Sequence, residues 1–304
     1  MNMNANANEN YFIGFFTNYI SAILNYHSGE MQMLPSMPTP RNSAAVAILD
    51  DIIYVAGGYD GDYAIGKSPS NAFESYNRHT CEWSCLPMIP DYLDKIRLFA
   101  VDSVLLVWGE SRWQQGKELG NEIKIFKFDP AKKSWEVFPS QPVDKRNGSC
   151  ILYCSKLLIH VEWSRGGPYA LEKISTYDFE AQTNVWVREP RNSHIFQMFE
   201  YLINNSKSIK HFYCYLDKYI SSGERFFLQK NTDSSSCFAF DPRQMKVSEF
   251  PLPGRIGSNI LLGACNKLVL LWSKHLGIGI LNMNDGEVTS VRKDKIGQTF
   301  AGFG

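Results

Sequence analysis

Short apolar runs separated by Gly, Pro, Asn and Asp recur along most of the chain, and this pattern predicts β-strands joined by tight turns. The clearest set of four runs is 44–49, 52–56, 72–76 and 82–86. Turns at Asp50-Asp51 and at residues 77–80 separate them, and Gly57-Gly58 ends the second run. The four runs are therefore expected to form one antiparallel sheet of short strands.

A cassette within this set occurs five times along the chain. An aromatic or aliphatic residue precedes Asp or Asn, and a Trp or Val follows six residues later, or eight in one copy. The copies are Tyr76-Asn77 with Trp83, Phe128-Asp129 with Trp135, Tyr177-Asp178 with Trp186, Phe240-Asp241 with Val247, and Leu281-Asn282 with Val288. Such a recurring unit predicts a repeat protein, whose function usually depends on the surface that its loops build together.

Three features of the first repeat carry a family resemblance: Pro40-Arg41 before the first strand, D-x-I-Y-V-x-G-G at residues 51–58, and Tyr76-Asn77 with Trp83. They resemble the kelch repeat, which implies an all-β protein with a kelch-type β-propeller. The double glycine allows positive φ and close packing against the next blade. The Trp is expected to wedge between blades and to donate its indole N–H to a nearby acceptor.

Five recognisable four-stranded blades are predicted, the later four by register. These are expected at residues 97–138, 146–189, 191–250 and 255–291, with second strands at 104–108, 156–161 and 268–272. The strands of an insertion at residues 204–222 are not assigned. Residues 31–34 resemble the last strand of a preceding blade, and residues 296–303 the first strand of an unfinished one. The two termini are therefore expected to share a partial sixth blade, whose middle is either missing or built from residues 11–24; the alternative is a truncated gene product.

Residues 1–30 are predicted to form an N-terminal segment, and residues 31–304 the propeller. Six apolar positions of the segment fall on one helical face: Phe12, Phe15, Phe16, Tyr19, Ile20 and Ile23. This spacing predicts a short amphipathic helix within residues 11–24. Because the segment contains no Lys or Arg, a helix packed on the domain, or the remnant of a truncated blade, is favoured over an anchor to a partner or a membrane surface.

Charge balance, cysteine number and the lengths of apolar stretches argue against several classes of protein. The 31 Lys and Arg residues balance 31 Asp and Glu residues, so the chain lacks the broad positive field typical of nucleic-acid-binding proteins. The seven cysteines are scattered and odd in number, unlike the dense framework of small secreted proteins, which favours buried, reduced thiols in the cytoplasm or nucleus. The chain shows neither a signal peptide's basic start nor an apolar stretch long enough to span a bilayer.

Each repeat begins with an arginine at the same register: Arg41, Arg97, Arg146, Arg191 and Arg255. Equivalent positions of a propeller lie on a circle around the central channel, and guanidinium groups bind carboxylates and phosphates in a bidentate manner. The ring is therefore a candidate receptor for an acidic or phosphorylated segment, and kelch domains that this chain resembles bind acidic peptides on that face. The alternative is structural, with each arginine capping its own blade against a neighbouring carboxylate.

The loops after the second strands are expected to lie on the same face as the ring. They supply further candidate binding residues: Tyr59, Tyr63, Arg112, Trp113, Arg165 and His275. Tyr, Trp and Arg are the residue types that dominate binding hot spots. Partial burial of these aromatic residues against the blade edge is an equally good explanation.

Neither catalysis, nor a cofactor, nor a metal is predicted. The chain contains no nucleophile elbow, phosphate-binding glycine loop or His-x3-His pair. The pairs Cys81/Cys85 and Cys150/Cys154 are four residues apart, which on a strand is over ~10 Å and too far for one zinc ion. The alternatives are a galactose-oxidase-like metal oxidase, whose site would be assembled from distant loops, and a degenerate structural remnant.

The expected function is recognition of a partner protein through one loop face of the propeller. The family resemblance also implies recruitment of substrates to a ubiquitin ligase, which such propellers achieve through a BTB or F-box module. Neither module is recognisable before the first blade. The adaptor role therefore predicts a BTB, F-box or cullin-type partner chain.

Overall fold

The computed structural model describes a series of ranges, and in them the chain forms antiparallel sheets and one helix. The described residues are 11–16, 21–25, 31–60, 68–114, 117–144, 147–154, 156–164, 170–181, 185–204, 220–221, 226–229, 236–241, 246–251, 259–265, 268–273, 277–282 and 288–291. Within these ranges, no helix has the length and apolar character needed to cross a membrane.

The N-terminal residues form a three-stranded antiparallel sheet, with β1 (Tyr11–Phe16), β2 (Ser21–Asn25) and β3 (Met31–Met33) in that order. The predicted amphipathic helix is therefore wrong. Aromatic and β-branched residues fill this segment and favour strands, and pairing with β2 uses an edge of β3 that would otherwise stay open. Of the two alternatives for the preceding blade, a missing middle or a middle built from residues 11–24, the pairing of β1, β2 and β3 matches the second.

The first blade consists of β4 (Ala45–Leu49), β5 (Ile52–Ala56), β8 (Phe73–Asn77) and β9 (Glu82–Cys85), in that order. A short ribbon of β6 (Tyr59–Asp60) and β7 (Ser68–Pro69) lies between the second and third strands. All four predicted strands are confirmed to within a residue or two.

The second blade has β10 (Asp94–Val101), β11 (Val104–Gln114), β12 (Lys117–Asp129) and β13 (Ser134–Val137), with β14 (Gln141–Pro142) paired to β12. The third has β15 (Asn147–Cys154), β16 (Leu157–Ser164), β17 (Leu171–Asp178) and β18 (Val187–Arg188). Helix α1 (His194–Asn204) follows it. Each sheet keeps the order of its strands in the sequence.

The fourth and fifth blades repeat this order. The fourth has β19 (Ile220–Ser221), β20 (Phe226–Gln229), β21 (Ser236–Asp241) and β22 (Lys246–Pro251). The fifth has β23 (Asn259–Cys265), β24 (Leu268–Ser273), β25 (Gly277–Asn282) and β26 (Val288–Val291). The five predicted four-stranded blades are thus confirmed, while the strand predicted at residues 296–303 lies outside the described residues.

The chain divides into two compact units, Met1–Lys145 and Arg146–Gly304. In the first unit, apolar side chains join successive sheets. One cluster joins the N-terminal sheet to the first blade through Ile23, Leu34, Met37, Ile53, Val55 and Tyr76. Another joins the first and second blades and includes Tyr54, Phe73, Ile96, Leu98, Leu105 and Phe128. The β-branched and aromatic residues of the repeats thus supply the contacts between blades.

Two tryptophans of the cassette hold neighbouring sheets together in the first unit. Trp83 Nε1 donates to the carbonyl of Pro35, 2.9 Å away, and Trp135 Nε1 donates to that of Pro87, 3.0 Å away. Both acceptors lie two residues after the end of the outer strand of the preceding sheet. The expected wedge with a satisfied indole N–H is therefore confirmed at these two positions.

The double glycine also has the expected role. Gly57 and Gly58 have φ of +59° and +97°, values that strongly favour glycine. A Cβ on Gly57 would lie 2.5 Å from Ile96 Cδ1 in the second blade. The absence of a side chain is therefore what allows the two blades to approach so closely here.

Candidate functional site

The first predicted ring residue, Arg41, is completely buried. Its Nη1 forms an ion pair of 2.6 Å with Glu74 Oε2, and its guanidinium also donates to the carbonyls of Gly57, Thr39 and Val55 at 2.7–3.1 Å. No face of this group is left for a ligand. Arg41 therefore has the structural role considered as the alternative, and its inclusion among the binding residues is corrected.

The other ring residues differ in their surroundings. Arg97 lies on β10, is half-buried, and donates from Nη1 to the carbonyl of Ile96 at 3.2 Å. Arg191 is exposed at the entry to α1. Arg146, Arg255, and the loop candidates Tyr63, Arg165 and His275 lie outside the described residues.

The ends of the second strands in the first unit form a network of paired polar side chains. Tyr59, half-buried, donates its hydroxyl to Asp94 Oδ1, which matches the partial burial considered for the loop aromatics. Lys95 Nζ lies 3.0 Å from Glu110 Oε1. The Tyr59 contact joins the first blade to the second at this end, and the Lys95 contact connects β10 with β11 within the second blade.

A hairpin extends from this network. Beyond the pair Trp108 and Ile125, β11 continues to Gln114. It stays paired with β12 as far as Gln114 and Lys117, with one irregularity. We call residues 110–123 the hairpin arm. Its base is held by Asp91, which is buried, accepts from Ser111 Oγ at 3.0 Å and pairs with Lys124 Nζ at 2.6 Å.

The hairpin arm carries two predicted binding residues. Arg112 and Trp113 were expected on a loop, but they belong to β11, since its pairing with β12 includes Trp113 opposite Glu118. The loop prediction is wrong because Gly109-Glu110 replaces the double glycine, so the turn that ends the first blade's second strand does not occur here. A paired arm holds its residues more rigidly than a loop would.

In the second unit, a groove of about 430 Å³ lies between the third blade and α1. It is lined by Glu172, Lys173, Arg188, Glu189, Pro190, Arg191 and Phe196. We call it the α1 groove. Arg191 lies with its guanidinium carbon 5.6 Å above the ring of Phe196, a cation–π distance. The sequence identified Arg191 but missed Arg188 and the helix, because the fourth repeat was expected to begin with a strand.

Buried polar groups lie behind the α1 groove. Lys173 Nζ is 2.9 Å from Glu162 Oε1, and His160 Nδ1 is 3.6 Å from the same oxygen. His160 is fully buried, with neither ring nitrogen hydrogen-bonded. Burial, and secondarily the charge of Lys173, lowers the pKa of His160 to about 3. His160 is therefore neutral at physiological pH.

The cysteines and acidic groups give no metal site in the described residues, where no three His, Cys, Asp or Glu side chains come together. Cys150 is buried as expected, but Cys81 and Cys85 are exposed. The prediction of buried thiols is wrong for this pair. Cys81 lies in the turn after β8, and Cys85 ends the outer strand β9, so neither position faces a neighbouring blade.

Three comparisons with known proteins agree with this architecture. The kelch motif family matches residues 40–87, which is the first blade. "Kelch-like protein terF" of Aspergillus terreus is 31% identical over 183 residues, which cover 55% of this chain and 37% of that protein. The chain thus matches little more than a third of that relative's length.

The solved structure of YjhT superimposes with a TM-score of 0.56 at 13% identity, covering 90% of this chain and 91% of that one. This similarity shows the fold, a β-propeller. Together with the five four-stranded antiparallel sheets, it shows a β-propeller whose first blade matches the kelch motif and which is similar in sequence to a kelch-like protein.

Proposed function

We propose that this protein is a non-enzymatic interaction module that binds a partner protein at the loop ends of its blades. Kelch repeats generally mediate contacts between proteins, and both the matched motif and the kelch-like relative favour this class. The observation that carries the proposal is the hairpin arm, which continues β11 six residues beyond Trp108.

The hairpin arm suits recognition for three reasons. Six residues of paired strand extend about 20 Å, so the paired part of the arm offers an extended surface to a second molecule. Cross-strand pairing restricts its backbone, which lowers the entropy lost on binding. It carries Arg112 and Trp113, two residue types enriched at binding hot spots, and its base is fixed through Asp91 and Glu110.

The partner that we propose carries an acidic or phosphorylated segment. Arg97, Arg146, Arg191 and Arg255 remain proposed contacts for it, and Arg41 does not, because Glu74 and three carbonyls occupy its guanidinium. Recruitment of the partner to a ubiquitin ligase through a BTB, F-box or cullin-type chain, in the cytoplasm, is the finer form of the proposal.

The test is to replace residues 112–121 by Asn-Gly, which closes the hairpin at the pair Ser111 and Glu122 with a two-residue turn. This variant keeps the contact from Ser111 to Asp91. The matched control is Lys132→Gln with Lys133→Gln, in the turn at the opposite end of the same sheet. Both proteins are crosslinked in native extract, and the captured chains are identified by mass spectrometry.

A partner captured by the wild type and the control but lost from the shortened arm supports the proposal. Capture of the same chains by all three proteins overturns it. Metal analysis of the purified protein addresses catalysis separately, since stoichiometric copper, iron or zinc would contradict a non-enzymatic role. Co-capture of a cullin-type chain would support the ligase proposal, and capture of the partner without one would contradict it.

A further inference from the structure

The α1 groove is a second surface, built from different elements than the hairpin arm. The start of β17 and the end of β18 form one wall, and the residues that lead into α1 form the other. Its volume of about 430 Å³ falls in the range of about 300–1,000 Å³ usual for ligand sites. The groove is therefore large enough for side chains of a bound peptide.

Two positive charges in the α1 groove lack a carboxylate partner among the described residues. Lys173 is paired with Glu162, and Glu189 accepts a hydrogen bond of 2.7 Å from Thr176 Oγ1. Arg188 and Arg191 are exposed, and neither forms an ion pair with any of the described residues. Their guanidinium donors are therefore available to an incoming anion.

The positive charge comes from these side chains rather than from the end of the helix. Ser193 caps α1, because its Oγ accepts from the Phe196 amide at 3.2 Å and its carbonyl accepts from the Gln197 amide at 3.0 Å. Phe196 is buried beneath the Arg191 guanidinium. This stacking restrains the arginine and leaves its N–H groups pointing outward in the guanidinium plane.

Arg188 is also specific to this repeat. Every outer strand of the first four sheets is followed by a proline, and the residue two positions before it is exposed. That position holds Met33, Cys85 and Val137 in the earlier sheets and Arg188 in the third blade. Among these four sheets, a cation occupies this position only in the third blade, where Arg191 lies beside it and likewise has no ion pair with a described residue. Repeat architecture alone therefore does not account for Arg188.

We propose that the α1 groove binds an acidic peptide segment of a partner protein, with Arg188 and Arg191 holding one or two of its carboxylates. Arginine binds carboxylates with two parallel, charge-assisted hydrogen bonds. Glu172 and Glu189 also line the groove, and their negative charge disfavours a phosphate dianion more than a carboxylate. The groove is thus selective for Glu or Asp over phosphoserine.

The experiment uses the full chain and fluorescein-labelled hexaglutamate, with hexalysine and a phosphoserine peptide as comparison probes. Arg188→Gln with Arg191→Gln is expected to weaken hexaglutamate binding at least about tenfold. Glu172→Gln removes a repulsive charge and is expected to strengthen it about twofold. The matched control, Lys132→Gln with Lys133→Gln, removes two exposed positive charges elsewhere and is expected to leave affinity unchanged.

Equal binding of hexaglutamate by wild type and the double arginine variant overturns the inference, as does absence of binding up to about 1 mM. Stronger binding of the phosphoserine peptide than of hexaglutamate overturns its selectivity for carboxylates. Circular dichroism and thermal melting confirm that the variants are folded, and a rise in affinity for Glu172→Gln cannot arise from unfolding. This inference rests on the proposed function, because Arg191 is also one of the contacts proposed there. The hairpin arm is intact in all these variants, so loss of peptide binding tests the α1 groove, whereas the crosslinking result tests the arm.

Discussion

The tripeptide Arg-Asn-Ser occurs twice in the chain, at residues 41–43 and 191–193, with opposite structural outcomes. Arg41 precedes β4 and is buried in an ion pair with Glu74. Arg191 precedes α1, is exposed, and lies over the ring of Phe196. The same local sequence thus supplies a buried, ion-paired arginine in the first blade and, beside the third, an exposed arginine that has no ion pair with a described residue.

The difference depends on the partner rather than on the tripeptide. Glu74 lies two residues before Tyr76 of the cassette, opposite Val55. The equivalent residues in the other blades are Phe126, Ser175, Phe238 and Gly279, none of which is a carboxylate. An arginine that opens another repeat therefore cannot be neutralised in the way Arg41 is. Arginines at equivalent positions of the repeats therefore have the same role only where the carboxylate that pairs with them is also present in each repeat.

The largest expected effect is the difference in unfolding free energy between variants of Arg41 and of Arg191. Arg41→Met leaves Glu74 buried without its counter-charge and is expected to cost about 3–5 kcal/mol of unfolding free energy. Arg191→Met, at the exposed position, is expected to change it by about 0.5 kcal/mol or less. Urea unfolding of both variants measures this. Equal losses would contradict the comparison, whereas adding Glu74→Leu to Arg41→Met should recover part of the loss.

The second expected effect concerns acid stability in the third blade. Since the pKa of buried His160 is about 3, well below its unfolded value of about 6.5, the unfolded chain binds more protons between these pH values. Stability therefore falls as pH drops through this window, by about 2.5 kcal/mol between pH 7 and 4.5. The equivalent residue is Val55 in the first blade and Val107 in the second.

His160→Val should remove this part of the pH dependence. The comparison is the difference in unfolding free energy between pH 7 and 4.5 for the variant and for the wild type, because a cavity left by the smaller side chain affects both pH values alike. The same acid sensitivity in the two proteins would show that His160 is not held neutral.

The smallest of these effects tests the packing around Arg41. Gly57→Ala would place Cβ 2.5 Å from Ile96 Cδ1 at a φ of +59°, and the strain is expected to cost about 1–3 kcal/mol. Because Arg41 Nε donates to the Gly57 carbonyl at 2.7 Å, the effects of Gly57→Ala and Arg41→Met should not add. A double-mutant cycle from urea unfolding measures the coupling, and strict additivity would contradict a shared network.

Much of the fold could be predicted from the sequence, because the cassette fixes the register of each third and fourth strand. Turn residues then locate the second strand, as at Leu268–Ser273. The helix expected in residues 11–24 failed because a period near 3.6 and an alternating period coincide over so few apolar residues. Pairing with the edge of β3 favours strands in this segment. This pairing is a tertiary contact, which the periodicity of the segment does not contain.

The site was less predictable than the fold. The burial of Arg41 could have been predicted from the sequence, because Glu74 is the only acidic residue among the five residues that lie two positions before the aromatic or aliphatic residue of the cassette. Arg188 was not, because its significance depends on α1 replacing a strand and so closing the groove beside it. The strand position of Arg112 and Trp113 likewise depends on how far β11 and β12 remain paired, which local composition does not determine.

The most direct test of these contrasting roles is the reactivity of each arginine toward phenylglyoxal, mapped by mass spectrometry on the native protein. Arg188 and Arg191 are expected to react readily and to be protected by hexaglutamate, while Arg41 reacts only after unfolding. Modification of Arg41 in the native state at the rate of Arg191, or no protection of Arg188 and Arg191 by the acidic peptide, would contradict the account.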